Sequence, residues 1–323
     1  MADIATVSQT EDGVRLHRWF LRHYPSMPLR DLYRLCRGGQ IRVNAKRVKG
    51  QEVLRAGDAL RIPPTIAAYS VQRKKSEGGD AFSLSDLELL RQCIVHNDED
   101  IVVFDKPAGL AVQGGTGIRK SIDKMAAALF PYDKIALVHR LDRETSGLLV
   151  VAKNQRAAQH LAAQFQNKQA QKQYLALLHG AVGPAHGTID NYMSKGQVFD
   201  SPNRLNNGTG PRPQHAITDY QVLSQASGML SWVLFSPKTG RTHQLRLHSA
   251  ITLRAPIVGD KLYGGDMSDV YAAMGSAVDR DKLFLFAHKL TFQHPRSGKM
   301  LSLRAMLPDF MQPVVKLLEL KMP

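Results

Sequence analysis

One stretch, residues 137–153, constrains the fold of this chain most, because it joins a dense polar loop directly to an apolar run. Residues 139–146 read His-Arg-Leu-Asp-Arg-Glu-Thr-Ser, and residues 148–152 read Leu-Leu-Val-Val-Ala. The apolar run predicts a short buried strand. Gly147 separates the two halves and tolerates backbone angles that a side chain would forbid. The pattern therefore predicts functional groups on a loop that is held by a rigid strand.

Asp142 is the acidic residue between two arginines of this loop, Arg140 and Arg143. Nearby positive charge favours the ionised form of a carboxyl group, so we expect a charged aspartate here. Its spacing alone favours a structural role, either a salt bridge within the loop or a cap on a turn, because structural ion pairs also perturb acids. A functional acid remains the alternative.

His-Arg-Leu-Asp followed by Thr-Ser-Gly resembles the signature of the pseudouridine synthases that modify structured RNA, in the group that acts on large-subunit ribosomal RNA. The resemblance implies that Asp142 is the catalytic nucleophile. Other motifs similar to that family follow in the expected order, and Gly-Arg-Thr-His-Gln-Leu-Arg at 240–246 is the longest of them. By this resemblance Tyr174, in Lys-x-Tyr-x-Ala, is the active-site tyrosine, and Arg246 is the arginine that pairs with the aspartate.

The resemblance extends from residue 13 to about residue 310 and implies further site residues. Arg140 is expected to occupy the space that a flipped base leaves in the RNA. The expected substrate-binding residues are Lys106, His139, Arg140 and Arg241. Gln113 departs from the family pattern, where a histidine is expected. Outside this context, Tyr174 would be read as a strand residue at the edge of a core.

Residues 13–64 are predicted to form a small module of their own. Apolar residues recur at helical spacing in two segments, near 16–24 and 29–36, and short alternating segments follow. The pattern resembles the S4 RNA-binding domain, in which two helices and a small sheet present basic side chains to RNA. Here the expected phosphate contacts are Arg15, Arg18, Arg34, Arg37, Arg42, Lys46 and Arg47. Ordinary solvated faces are the alternative for these residues.

Residues 65–85 are predicted to be a linker, since they contain the run Arg-Lys-Lys and the segment Ser-Glu-Gly-Gly-Asp. Residues 86–323 are the predicted catalytic domain. Residues 155–172 predict a helix, 172–178 a strand, and 187–214 an irregular excursion. The implied fold class is α+β, with a mixed, mostly antiparallel catalytic sheet, flanking helices and a small N-terminal α+β domain.

Composition narrows the partners and cofactors. The chain has 323 residues and a formal net charge of +15, which favours a polyanionic partner such as nucleic acid. No apolar run approaches the roughly 20 residues needed to cross a bilayer. Cys36 and Cys93 are far apart, which fits a reducing compartment. His243 and His248 have no accompanying cysteine or acid cluster, so no metal site is predicted.

The predicted function is the isomerisation of uridine to pseudouridine in large-subunit ribosomal RNA. No group is lost and no redox change occurs, so the reaction needs no cofactor. The main alternative is a non-catalytic S4-containing RNA-binding or ribosome assembly factor; a hydrolase using Asp142 is disfavoured because no second acid or metal cluster accompanies it. Ribosomal RNA is the expected partner, and a cytoplasmic monomer is the expected form.

Overall fold

The computed structural model describes residues 3–24, 27–69, 82–115, 117–194, 196–201 and 212–323. The chain divides into two compact units, Met1–Asp80 and Ala81–Pro323. Most of the predicted linker falls at 70–81, outside the described residues. On its near side the chain forms a 3-10 helix, Pro64–Tyr69, and on its far side Ser83 caps the first helix of the second unit.

The first unit combines two helices with a four-stranded sheet in the order β1-β4-β2-β3. Its elements are β1 (Asp3–Thr6), α1 (Leu16–His23), α2 (Leu29–Arg37), β2 (Arg42–Val43), β3 (Lys46–Arg47) and β4 (Ala59–Ile62). The two predicted helices are confirmed, and their apolar stripes meet in one core that buries Trp19, Phe20 and Leu32. Asn44 and Ala45 turn the β2–β3 hairpin with φ of +49° and +66°, as a tight two-residue hairpin requires.

The basic side chains expected to contact RNA differ in their surroundings. Five of them are exposed: Arg15, Arg34, Arg37, Lys46 and Arg47. Arg18 is half-buried. Arg42 is committed to the hairpin, because its Nε donates to the carbonyl oxygen of Gly39 at 3.0 Å and its Nη1 to that of Ala45 at 3.4 Å.

The second unit is built around one large sheet. Its helices are α3 (Leu84–Gln92), α4 (Ile122–Leu129), α5 (Gln155–Gln166), α6 (Gln244–Leu247), α7 (Ser268–Met274) and α8 (Gln312–Leu317). Its strands are β5 (Ile94–Asn97), β6 (Ile101–Lys106), β7 (Ala136–Leu137), β8 (Ser146–Ala152), β9 (Gln171–His179), β10 (His186–Ser194), β11 (Gln197–Phe199), β12 (Gln214–Ala226), β13 (Leu230–Pro237), β14 (Leu285–Gln293) and β15 (Met300–Arg304). No helix in the described part of the chain is long and apolar enough to span a membrane.

The sheet runs β11-β10-β12-β13-β9-β14-β8-β6-β5, with β15 paired to β14 and β7 paired to β8. Every strand pair among the described residues is antiparallel except β14–β8. The predicted α+β class with a mixed, mostly antiparallel sheet is therefore confirmed.

Strand β8 is the buried strand that the apolar run predicts, and all seven of its residues are buried. Gly147 lies where β8 meets β14, with a φ of +105°. A Cβ atom there would come within 2.3 Å of the carbonyl oxygen of Ala287. The glycine is thus required twice, by its backbone angle and by the close approach of the neighbouring strand.

The predicted helix at 155–172 is shorter than expected, since α5 ends at Gln166, whereas the predicted strand at 172–178 is confirmed as β9. The prediction of an irregular excursion was wrong for residues 187–194, which lie in β10, and for residues 197–199, which form β11. Strand β10 alternates between the two faces of the sheet, but Asn191 lies on its buried face and breaks the apolar pattern. Residues 202–211 lie outside the described residues.

Candidate active site

The polar loop that precedes β8 is pinned to the turn after β6. The Lys106 ammonium is fully buried and donates at 2.9 Å to the carbonyl oxygens of Pro107, Leu110 and Arg143. Arg143 adds a bond from its Nε to the carbonyl oxygen of Gly109 at 2.9 Å. Lys106 therefore holds the loop through buried hydrogen bonds. Its three N–H groups are all used in this way, which corrects the interpretation of Lys106 as a substrate-binding residue.

Lys106 is held as an ammonium despite its burial. Desolvation lowers its pKa to about 7, against the opposing charges of Glu144 and Asp142. Three carbonyl acceptors match the three N–H bonds of the charged form, however, and hydrogen bonds to a charged form favour that form. We conclude that the loop is held by a buried cation.

His139 also holds the loop in place. Its Nε2 accepts a hydrogen bond from the backbone N–H of Val150 at 3.0 Å, and its ring stacks on Phe165 at 4.4 Å between centroids. Burial, and then the charge of Lys172, lowers the pKa of His139 to about 3. The ring is therefore neutral and lines the cavity as a flat wall.

This loop forms one side of a cavity of about 550 Å³, which β9, the end of β13 and α6 complete. The three residues expected to be catalytic, Asp142, Tyr174 and Arg246, all line it. The lining cations are Arg140, Lys168, Lys172, Lys238, Arg241 and Arg246. Asp142 is the single acid among the described lining residues, so the cavity is strongly basic and suits a polyanion.

The Asp142 carboxylate has few direct contacts with neighbouring side chains. Among the described residues its carboxylate accepts no hydrogen bond, and its one ion-pair contact is with His243, whose Nε2 lies 4.0 Å from Oδ1. Neighbouring Arg143 pairs instead with Glu144, at 3.6 Å. The salt bridge with a loop arginine and the turn cap, the two structural roles considered for Asp142, are therefore both wrong.

Arg246 does not contact Asp142 directly, contrary to the predicted pairing. Its Nε and Nη2 donate to the two oxygens of Asp260 at 2.7 and 2.6 Å, and both side chains are buried. Burial opposes the charge of Arg246, but Asp260 and, more weakly, Asp142 raise the pKa of the arginine. Asp260 thus anchors the guanidinium near Asp142 while the nucleophile candidate stays unbound.

Tyr174 faces the cavity from β9 and packs against the cores on both sides of the sheet. Burial, reinforced by the negative charge of Asp142, raises its pKa well above the ordinary value. Its hydroxyl has no hydrogen-bond partner among the described residues. A phenol in this state stays protonated, so it can stack on a base or donate a hydrogen bond.

Arg241 and Arg140 lie on the cavity wall in different states. The Nε of Arg241 donates to the carbonyl oxygen of His215 at 2.9 Å, and its Nη1 donates to Gln214 at 2.8 Å. Arg140 is exposed and has no partner in the described parts of the chain. Arg140 is therefore available to contact a ligand, whereas Arg241 already bonds its own loop to β12.

Lys172 is a cavity cation that the sequence analysis did not single out, although it opens the motif that contains Tyr174. Burial lowers its pKa to about 8, and its Nζ lies 3.5 Å from the carbonyl oxygen of Thr239. The side chains of Lys172 and Tyr174 share a face of β9, because they are two residues apart in a strand. That spacing is the signal that could have placed Lys172 in the site.

A buried hydrogen-bond chain supports α6. Gln244 donates to the hydroxyl of Thr218, which also bonds His248 Nδ1, and His248 Nε2 bonds Asn191 Oδ1 at 3.0 Å. Burial lowers the pKa of His248 to about 4, so the ring is neutral. Asn191 is therefore buried on β10 for its hydrogen bonds, and His248 is committed to the fold.

One group of side chains in the described ranges has the spacing of a metal site: His96, Asp98 and His294. Both ring Nε2 atoms contact Asp98 Oδ2, at 2.8 and 2.9 Å. His294 Nδ1 accepts the backbone N–H groups of Arg296 and Ser297, so its neutral ring carries the proton on Nε2, directed at Asp98. A metal would need the lone pair on that Nε2, so the group fits a hydrogen-bonded brace.

The fold and the cavity define a class of protein that comparison with known sequences identifies. Residues 100–250 match the family of RNA pseudouridylate synthases. The chain belongs to this family, and it is an RNA pseudouridine synthase, an isomerase.

Individual relatives extend the similarity to almost the whole chain. A ribosomal large subunit pseudouridine synthase C of Vibrio parahaemolyticus is 33% identical over 322 residues, 98% of either chain. The protein of the same name from Vibrio cholerae is 36% identical over 297 residues, 91% of this chain and 90% of the relative. The solved structure of human RNA pseudouridylate synthase domain containing 4 superposes with a TM-score of 0.64 and 28% identity, over 74% of this chain and 97% of that one.

Proposed function

We propose that this protein isomerises specific uridines to pseudouridine in large-subunit ribosomal RNA, with Asp142 as the nucleophile. The relatives named for that activity match nearly the full chain, which supports the substrate class. The observation that carries the nucleophile is the position of Asp142. Its carboxylate accepts no hydrogen bond from the described residues, and it is the sole described acid of a basic cavity.

The reaction breaks the bond between N1 of uracil and C1′ of ribose and forms a bond between C5 and C1′. One proton leaves C5 and one is gained at N1, so atoms and charge balance without a cofactor. A carboxylate can form the covalent intermediate at C1′ of the sugar or at C6 of the base. Either route needs an ionised Asp142 with a free lone pair. The lone pairs of its carboxylate are available, because no described residue donates a hydrogen bond to it.

Arg246 acts in this proposal as a fixed charge near Asp142. The bidentate pair with Asp260 holds the guanidinium in one orientation and leaves it a cation at all working pH values. Its positive charge attracts the Asp142 carboxylate over the distance that separates them. Arg246 thus stabilises the nucleophile through space, where the sequence had predicted a hydrogen bond.

Tyr174 is proposed to stack on the target base. Its raised pKa disfavours the phenolate, so it is poorly suited to accept the C5 proton as a free base. The ring is held by two cores while the hydroxyl remains unbonded, which leaves its face and its O–H for the substrate.

Access of the uracil requires the nucleotide to leave the RNA stack. The exposed Arg140, two residues before Asp142, is proposed to fill the vacated space. The other cavity cations apart from Arg246, namely Lys168, Lys172, Lys238 and Arg241, are proposed to bind phosphates. The exposed basic side chains of the first unit are proposed to add affinity.

The test replaces Asp142 by asparagine, which keeps the size of the side chain and removes its charge. Tritium release from RNA labelled at uridine C5 should fall by more than about a thousandfold with enzyme in excess, as expected for loss of a nucleophile. RNA binding should persist. Mapping pseudouridines in ribosomal RNA from cells with and without the gene identifies the modified positions.

Glu144→Gln is the matched control, because Glu144 is a half-exposed acid of the same loop that does not line the cavity. It removes one negative charge but should leave the rate near that of the parent. An asparagine protein, checked by mass for deamidation, that still releases tritium near the parent's rate would rule out Asp142. A parent without activity on any ribosomal RNA would favour the non-catalytic RNA-binding alternative.

We further propose that the protein acts as a monomer in the cytoplasm. All the proposed catalytic side chains line one cavity of a single chain, so no second copy is needed to complete it. Light scattering of the protein with and without RNA would test the monomer, and cell fractionation would test the location.

A further inference from the structure

The imidazole of His243 lies next to the nucleophile candidate. His243 does not line the cavity, yet its Nε2 is the one ionisable nitrogen in the described chain within 4.0 Å of the Asp142 carboxylate. It belongs to the same motif as Arg246, three residues later. The sequence analysis considered it only as a metal ligand.

The backbone at His243 is in an unusual conformation. Its φ of +55° and ψ of +24° fall in the left-handed region, which few side chains other than those of asparagine, aspartate and histidine adopt readily. Such backbone strain persists only where the surroundings impose it, and it concentrates at functional sites. Here it brings the ring between two polar partners, Tyr263 and Asp142.

Tyr263 holds the ring from the other side, with its hydroxyl 2.9 Å from His243 Nδ1. The backbone N–H of Tyr263 donates to Asp260 Oδ1 at 3.0 Å. The Arg246 guanidinium lies over the Tyr263 ring, 5.1 Å from its centroid. Asp260 therefore anchors Arg246 and, through the turn, Tyr263 and His243 as well.

The hydrogen bond to Tyr263 decides which nitrogen of His243 carries a proton. Nδ1 of His243 is the one hydrogen-bond partner of the Tyr263 hydroxyl among the described residues, so we assign the phenol as the donor and Nδ1 of a neutral ring as the acceptor. The remaining ring proton is then on Nε2. A charged ring also carries hydrogen on Nε2. In both states, an N–H group faces Asp142.

We propose that His243, oriented by Tyr263, is a positioning residue that donates a hydrogen bond from Nε2 to Asp142 when substrate is bound. The separation of 4.0 Å is longer than a hydrogen bond, as is common for catalytic contacts in the absence of substrate. A donor at Nε2 would hold one carboxylate oxygen of Asp142 and leave the other for the substrate. This inference rests on the proposed role of Asp142 as the nucleophile.

Two amide variants separate the contacts of the ring, because each amide group reaches the place of one ring nitrogen. The Nε2 of glutamine falls near the Nε2 of histidine, so His243→Gln keeps a donor for Asp142 and gives up the Tyr263 contact. The amide of His243→Asn falls near Nδ1, where its oxygen can accept the Tyr263 hydroxyl, so it keeps that contact and the tolerance of left-handed backbone, but loses the donor to Asp142.

The full-length parent and both variants are compared for single-turnover tritium release on C5-labelled ribosomal RNA and for RNA affinity. We expect His243→Asn to slow the reaction by about 30-fold or more, in the range for loss of one oriented donor, and His243→Gln to stay within about fivefold of the parent. RNA affinity should change by less than about twofold in both, since His243 is outside the cavity.

Three results would overturn the inference: a parent-like rate in the asparagine variant, equal losses in both variants, or a fall in unfolding midpoint that explains the loss. Each would reduce His243 to a structural residue. These outcomes are read against an active parent. A parent that releases no tritium, or an Asp142→Asn protein that remains active, would instead refute the proposed function itself.

Discussion

The Arg246–Asp260 pair is expected to contribute strongly to both folding and turnover, and Asp260→Asn tests this contribution. The change is isosteric, and the amide oxygen can still accept the N–H groups of Leu262 and Tyr263 that bond Oδ1 at 2.9 and 3.0 Å. What is lost is the negative charge that faces Arg246. The guanidinium would then be buried without a counter-ion, or it would turn towards Asp142.

The structure sets the size of the effect. The side chains of Arg246 and Asp260 are 9% and 1% exposed, so solvent screens their attraction very little. Removing one partner of such a buried pair typically costs about 3 to 5 kcal/mol of unfolding free energy. With a urea dependence of about 2 to 3 kcal/mol per molar, the unfolding midpoint should fall by about 1 to 2.5 M.

The assay is urea unfolding followed by the fluorescence of Trp232, which is buried in β13 of the second unit, in a Trp19→Phe background that removes the signal of the first unit. Combining Asp260→Asn with Arg246→Met completes a double-mutant cycle. The loss of unfolding free energy in the double variant should be smaller than the sum of the two single losses by about 2 kcal/mol or more. The reason is that neither charge is then buried without its partner.

Single-turnover rates in the same variants connect this pair to chemistry. Asp260→Asn should lower the rate without a matching loss of RNA affinity, and Arg246→Lys should recover only part of the rate lost in Arg246→Ala, because lysine lacks the planar fork. A loss of stability below about 1 kcal/mol, or additive losses in the cycle, would refute the argument that Asp260 anchors the arginine.

Three further predictions follow from the structure. A chain that begins at residue 81 should bind RNA more weakly, with a smaller dependence of affinity on salt in filter-binding assays, while its rate at saturating RNA stays near the parent's; unchanged affinity would contradict this. Gly147→Ala should lower the melting temperature sharply, because the added Cβ meets Ala287 backbone at 2.3 Å, whereas Gly240→Ala, with nothing within 4 Å, is the control that should not. His248 is buried and neutral, and burial lowers its pKa from 6.5 to about 4. The unfolded chain therefore takes up a proton at this histidine first as the pH falls, so the protein should lose about 3 kcal/mol of stability between pH 7 and pH 4. Urea midpoints measured at each pH should show this part of the pH dependence in the parent and not in His248→Gln.

Local patterns in the sequence predicted a large part of this protein. The run at 148–152 became a fully buried strand, and the apolar stripes near 16–24 and 29–36 became helices. These features depend on neighbours within a few residues, where periodicity and turn preferences act directly. The motifs likewise placed Asp142, Tyr174 and Arg246 in order along the chain, and one cavity collects all three.

Where periodicity was interrupted, the sequence was misleading. Strand β10 was missed because the buried position of Asn191 is polar, and it is satisfied by His248, 57 residues away. Lys106 was assigned to substrate because a lysine in a polar motif is normally solvent-facing, whereas here three carbonyl groups from two separate loops enclose it.

The partners of the charged groups were decided by the tertiary structure alone. Arg246 pairs with Asp260, 14 residues later, because the turn that follows residue 257 folds back onto α6. His243 reaches Asp142 across 101 residues because β9 and β14 lie between β13, which ends before His243, and β8, which begins after Asp142. A charge has no periodicity and interacts with whichever opposite charge the fold brings within a few ångströms. Sequence patterns could therefore name the charged residues of this site, but only the packing of distant strands and loops could determine which of them meet.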